Sequence, residues 1–172
     1  MASVPKYYWD ACAWIDLITQ SDPERFDQCL YVIEEAEAGR VELWTSAFTL
    51  AEVYKKKCPE VGGIPQDKDR DFENYIEQEF ITKVQVDVEV ATLARRLLRQ
   101  FPTIKKPQDA THIASCLLNN LDELHTFDGS DLLALDGVIP RADHGLLRIC
   151  TPPKRPINPQ GDMFKDDPTD PQ

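Results

Sequence analysis

The chain lacks any apolar run approaching the roughly 18 residues that a membrane-spanning helix requires, and its opening segment, MASVPKYYW, has no apolar core of a secretory signal. A cytoplasmic protein with no membrane partner is expected. Cysteine is sparse: the five thiols, Cys12, Cys29, Cys58, Cys116 and Cys150, are odd in number, scattered, and contain no C-x-x-C pair. Neither a disulfide framework nor a zinc knuckle is supported, and reduced, mostly buried thiols are expected. Basic residues are outnumbered, with 19 Lys and Arg against 30 Asp and Glu for a formal charge of -11. Binding that neutralises many phosphates needs a broad basic surface, so nucleic acid must be gripped locally if it is bound at all.

What is present suits a single globular domain: 172 residues, 42% hydrophobic and 28% charged. Pro5 to Trp9 is short, aromatic and β-prone, and it runs into Asp10 and then Trp14, Ile15 and Ile18 at helical spacing. Ser21-Asp-Pro-Glu24 reads as a capping box opening a helix to Glu37, which Gly39 closes. Val41 to Trp44 alternates as a strand should. Thr45-Ser46 breaks it, and Phe48 to Lys57 returns to helical character, which puts Glu52 near a helix start. Cys58 to Asp71 is polar and rich in Gly and Pro, and predicts a loop over one edge of the fold.

Beyond that loop the pattern predicts a helix over 72–80, a strand over 81–86 and an amphipathic helix from Asp87 to Gln100 that Pro102 ends. Lys105-Lys106-Pro107 leads into another helix, apolar at Ala110, Ile113, Ala114, Leu117, Leu118 and Leu121, with Asp109 in its first turn. Leu124 to Phe127 reads as a strand ending at Asp128, and Leu146 to Cys150 as a last one. From Thr151 onward six prolines and no apolar cluster predict an extended or disordered tail, so residues 1–150 form the domain and 151–172 the tail.

Strands alternating with helices imply a three-layer α/β/α sandwich with a mainly parallel central sheet, because crossover helices supply the connections. In such sheets ligands bind outside the carboxyl ends of the strands. Asp10, Glu52, Asp109 and Asp128 all fall at that edge, and carboxylates meeting there repel one another unless a cation lies between them. Oxygen-only ligands favour Mg²⁺ or Mn²⁺ over zinc. Taken singly, each acid also has an architectural role: Glu52 completing a capping box with Thr49, Asp109 favouring a helix N-terminus, Asp10 and Asp128 as turn residues. Lys105 and Lys106 are candidate RNA-phosphate contacts, as are Lys55 to Lys57, although a solvated helix end is the commoner role for the latter. His112 and Cys116 share i, i+4 spacing, but no second pair accompanies them, and buried packing is expected. Glu34, Glu35 and Glu37 read as a solvated face.

The segments Tyr8-Trp9-Asp10-Ala-Cys12-Ala-Trp14-Ile15, Thr45-Ser46-Ala-Phe-Thr-Leu-Ala-Glu52-Val53, Pro107-Gln-Asp109-Ala-Thr-His112-Ile-Ala114 and Leu124-His-Thr126-Phe-Asp128 together resemble the PIN domain, the ribonuclease fold of VapC-type toxins. The resemblance covers residues 4–150 and rests on their order and context. It implies a metal-dependent endoribonuclease, with Asp10, Glu52, Asp109 and Asp128 as catalytic and metal-binding acids. Asp131 is an auxiliary acid, and Ser46 and Thr126 are polar support. It also implies an RNA substrate and, for a toxin of a toxin–antitoxin pair, a cognate antitoxin, and it leaves a homodimer open. The Cys58 to Asp71 loop and the proline-rich tail depart from a compact toxin.

Three rival functions stand beside this one. An interaction module of the same fold needs no acids, and a flap-type DNA nuclease would use the same carboxylates on a different polymer. A haloacid-dehalogenase-type phosphatase wants an Asp-x-Asp pair after its first strand, where this chain has Asp10-Ala-Cys12.

Overall fold

The computed structural model describes residues 4–54 and 63–156. Five strands, β1 (Lys6–Trp9), β2 (Glu42–Ser46), β3 (Ile81–Val84), β4 (Glu123–His125) and β5 (Arg148–Cys150), form one sheet in the order β3-β2-β1-β4-β5. Every pairing is parallel. The helices are α1 (Ala11–Thr19), α2 (Pro23–Glu37), α3 (Ala47–Glu52), α4 (Gln66–Ile76), α5 (Val88–Gln100) and α6 (Pro107–Leu118).

Side chains alternate across β1, and that alternation builds the three layers. Trp9 points to one face, where Trp14, Ile18, Val32, Ile33 and Phe72 from α1, α2 and α4 form a core. Tyr8 points to the other, where Val90, Ala94, Leu97, Ile113 and Ala114 from α5 and α6 form a second. The three-layer α/β/α sandwich with a parallel sheet is therefore the observed fold.

The chain builds outward from β1 through β2 to β3, then returns to the other side of β1 for β4 and β5. The reversal between β1 and β4 opens a crevice at their carboxyl ends, the place where open parallel sheets bind ligands. Asp10 follows β1 there and Thr126 to Asp128 follow β4.

Several local expectations shift. The cap of α2 is Asp22 rather than Ser21: its side chain accepts from the Glu24 and Arg25 amides. Thr45-Ser46 does not break β2. The strand runs through both residues, and Ser46 then caps α3 by accepting the Thr49 amide at 3.3 Å. α3 is only six residues long, so Glu52 is its last residue and not near its start. α4 begins at Gln66, inside the segment read as a loop, and the helix and strand expected at 72–80 and 81–86 are Gln66–Ile76 and Ile81–Val84. The last strand is shorter than expected, Arg148–Cys150.

Lys55 to Lys57, the start of the Cys58 to Asp71 segment and the tail beyond Pro156 lie outside the described residues. Thr151 to Pro156 is described. Pro152 is buried, Lys154 pairs with Glu24, and Arg155 pairs with Asp27 and Glu34 and stacks over Tyr31. Among the described residues no helix is long and apolar enough to cross a membrane.

Candidate active site

Asp10 is held from two sides. Its Oδ1 accepts the Cys12 and Ala13 amides at 2.9 and 3.2 Å, which caps α1, and its Oδ2 accepts the Thr126 hydroxyl at 2.6 Å. The capping role and the site role thus fall on different oxygens of one side chain. Thr126 Oγ1 in turn accepts the Asp128 amide at 2.9 Å. Asp128 Oδ1 accepts from the Ser130 amide and hydroxyl and from the Asp131 amide, so the turn after β4 fixes that carboxylate as well.

Asp109 lies in the first turn of α6, which Pro107 opens and no side chain caps. Asp10 and Asp109 are only 3% and 6% exposed. Burial pushes the Asp109 carboxyl up to about 6; Lys106 and His112 oppose the rise, and the charges of Asp128 and Asp131 add to it. The first-turn dipole that favours a carboxylate does not prevent this.

Glu52 reaches the same region from α3. Its Oε2 lies 2.9 Å from His112 Nε2, one helical turn beyond Asp109. The two atoms are in contact without hydrogen-bond alignment, so Oε2 is buried with no hydrogen-bond partner, as is Asp109 Oδ2. The four acids are therefore linked in one neighbourhood: Asp10 and Asp128 through Thr126, Asp109 to Asp128 by charge, and Glu52 to the Asp109 helix through His112.

Asp131 is placed differently. Its Oδ1 pairs with Lys105 at 3.1 Å and its Oδ2 with Lys106, and the two lysines hold its carboxyl below the usual range. Both lysines stand half or more exposed while tethered to a buried acid. Ser46 is completely buried and accepts the Tyr8 hydroxyl at 2.8 Å.

His112 was expected to pack and does more. Its ring lies between Tyr8 and Phe48, 5.7 Å from each, with Nδ1 2.8 Å from the Tyr8 hydroxyl and Nε2 against Glu52. Tyr8 and His112 are separated by 104 positions and Glu52 lies on a third element, so no local spacing could have joined them. Cys116, its i, i+4 partner, is buried in the core.

Among the described residues, Glu123, His125 and Cys150 bring three metal-capable atoms within 4.8 Å of one another. Hydrogen bonds already occupy them. The Trp9 indole can only donate and lies 3.3 Å from His125 Nδ1, so that nitrogen is the acceptor and Nε2 carries the proton it gives to Glu123 Oε2 at 2.9 Å. A metal on Nε2 would need the proton on Nδ1, facing the indole N–H. Burial also holds the Cys150 thiol up at about 12, and Arg148 occupies Glu123 Oε1 at 3.0 Å. The group is a saturated network on the face of the sheet opposite α6.

The PIN domain family model aligns to residues 7–136, a span that contains the acids after β1 and β4, on α3 and at the start of α6. The chain belongs to the PIN domain family. No curated protein sequence matches it. The crystal structure of Mycobacterium tuberculosis VapC20, described as a Sarcin-Ricin loop cleaving toxin, superposes with a TM-score of 0.55 at 16% identity, covering 74% of this chain and 94% of that one. A toxin–antitoxin complex from Klebsiella pneumoniae gives 0.55 at 18%, covering 87% and 99%. VapBC2 from Rickettsia felis, bound to a DNA fragment from its promoter, gives 0.54 at 13%, covering 84% and 98%. At these identities the likeness is one of fold.

Proposed function

We propose that this PIN domain is a metal-dependent endoribonuclease that hydrolyses RNA phosphodiester bonds, with Mg²⁺ or Mn²⁺ held by Asp10, Glu52, Asp109 and Asp128. The observation that carries the reading is the pair of buried carboxylate oxygens that accept no hydrogen bond, Glu52 Oε2 and Asp109 Oδ2, in a neighbourhood shared with two further acids. Buried polar atoms are almost always satisfied, and an oxygen-rich site suits a hard divalent cation. Such an ion supplies an activated water and stabilises the charge that builds on a phosphodiester during in-line displacement.

The protein's own residues do the positioning. Thr126 orients Asp10 and anchors the turn carrying Asp128, and the N-terminal end of α6 presents Asp109. Ser46 starts the short helix that carries Glu52. Lys105 and Lys106, exposed and held by Asp131, would exchange that acid for an RNA phosphate. This is the local grip that a chain of charge -11 requires. Asp131 then serves as their tether and as an auxiliary acid.

The structural relatives include a toxin described as cleaving the Sarcin-Ricin loop and two toxin–antitoxin assemblies, which supports the reading of this chain as the toxin of a type II pair with a protein antitoxin. Purified protein incubated with single-stranded RNA or single-stranded DNA, in Mn²⁺ or in EDTA, tests it. RNA cleavage in Mn²⁺ alone is expected. Preferential cleavage of DNA would make the protein a DNA nuclease, and cleavage of neither would make it an interaction module.

A further inference from the structure

We propose that His112 is a positioning residue for Glu52, braced by Tyr8, and that this contact sets the affinity of the site for its divalent ion. The inference rests on the metal-site reading above and deepens it.

The four acids are not equally constrained. Asp10 is fixed by two backbone amides and a hydroxyl, Asp128 by the turn it heads, and Asp109 by a short side chain on a twelve-residue helix. Glu52 has the longest side chain of the four and sits on the last residue of a six-residue helix. Ordering such a side chain costs rotamer freedom, a cost that binding must meet unless the protein has already met it. Among the described residues, the partner of its carboxylate is His112, at 2.9 Å.

The ring that makes this contact is itself immobilised. It is 3% exposed, lies between the Tyr8 and Phe48 rings, and has Nδ1 2.8 Å from the Tyr8 hydroxyl. That hydroxyl donates to Ser46 Oγ at 2.8 Å and lies 3.3 Å from Thr49 Oγ1, on the cap and first turn of the helix that carries Glu52. A closed circuit therefore runs from β1 through α6 to the end of α3 and back through Ser46 to Tyr8. It fixes the distance between the elements bearing Asp109 and Glu52. The His112 contact leaves Glu52 Oε2 without an aligned hydrogen bond, so it orients the carboxylate without using up its lone pairs. Groups that orient a metal-binding carboxylate typically contribute 10–100-fold in affinity.

Calorimetric titration of the full chain with Mn²⁺, with no RNA present, tests this. His112→Ala is expected to weaken Mn²⁺ binding 10–100-fold. His112→Gln, whose amide can occupy the position from which Nε2 contacts Glu52, is expected to recover most of that loss. Tyr8→Phe, which keeps the ring and removes the brace, is expected to weaken binding several-fold. Cys116→Ala, one turn along α6 and buried, is the packing control and is expected to leave affinity unchanged. If His112→Ala does not fold, the Gln and Phe variants carry the comparison.

Wild-type affinity in the Ala variant, or in the Phe variant where the Ala variant does not fold, would overturn the proposal. So would an equal loss in the Cys116 control or no recovery with Gln. Absence of Mn²⁺ binding by the wild type would instead overturn the metal-site reading.

Discussion

The Thr126 hydroxyl donates to Asp10 Oδ2 at 2.6 Å, joining residues 116 positions apart at the crevice between β1 and β4. Thr126 Oγ1 also accepts the Asp128 amide, so one small side chain sets the spacing of two acids. Thr126 is fully buried, and hydrogen bonds to a charged group contribute about 1.5–3 kcal/mol. Thr126→Val keeps the shape and removes both bonds. It is expected to lower the unfolding free energy in urea by about 2 kcal/mol and to reduce RNA cleavage, while Thr126→Ser stays near wild type. A valine variant as stable and active as the serine variant would remove Thr126 from the site.

Asp10 combines two roles that substitution can separate. Asparagine caps helices about as well as aspartate, so Asp10→Asn keeps the Cys12 and Ala13 amides satisfied and is expected to fold, losing only the stability that the charged bond from Thr126 supplies. Loss of a metal ligand should cost more than the 10–100-fold typical of outer partners, so its cleavage rate should fall by more than roughly 100-fold. Asp10→Ala should lose the same activity and, in addition, about 1 kcal/mol of stability. Substantial turnover by the asparagine variant in Mn²⁺ would show that the carboxylate is only a cap.

The mainly parallel sheet was legible, and so was the place of Asp10 and Asp128 after strands, because each leaves a local trace: an aromatic or alternating strand, then an acid where the periodicity changes. Boundaries failed where that trace is missing. α4 begins at Pro65-Gln66 with no side-chain cap, and its polar first turns, Gln66 to Asp71, look like the loop before them until Phe72 and Tyr75 turn inward. Ser46 ends a strand and caps a helix at once, and reading it as a break moved Glu52 from the end of α3 to its start. The Tyr8–His112–Glu52 contacts join three elements, and no spacing in one chain encodes them.

The start of the tail lies against α2. The Arg155 pairs with Asp27 and Glu34 are solvent-exposed, and such pairs contribute at most about 1 kcal/mol. Arg155→Ala should therefore barely move the melting temperature. Removing residues 151–172 exposes the surface that Pro152 covers and should lower the melting temperature more than removing residues 157–172, whose prolines and charges can bury little apolar surface. Equal melting temperatures for the two truncations would show that the Pro152 contact is not stabilising.

Asp109 makes metal binding depend on pH in a calculable direction. Its pKa is raised from 3.8 to about 6, chiefly by burial. A carboxyl whose folded-state pKa is raised binds its proton more tightly in the folded protein. The associated stability is fully present below pH 3.8 and is lost as the pH rises through about 6. Ionised Asp109 therefore costs the metal-free protein stability above that window. A divalent ion requires the ionised form and offsets the cost of burying it. Mn²⁺ affinity should therefore rise between pH 5 and about 6 and level off above it, with one proton released per ion at the lower end. Asp109→Asn should abolish the pH dependence, weaken Mn²⁺ binding and stabilise the protein in EDTA at neutral pH. Calorimetric Mn²⁺ titrations at several pH values, with melting curves of both proteins in EDTA and in Mn²⁺, measure all three. An affinity flat from pH 5 to 7 in the wild type, or an asparagine variant less stable than wild type in EDTA at neutral pH, would mean that Asp109 is not a strained metal ligand.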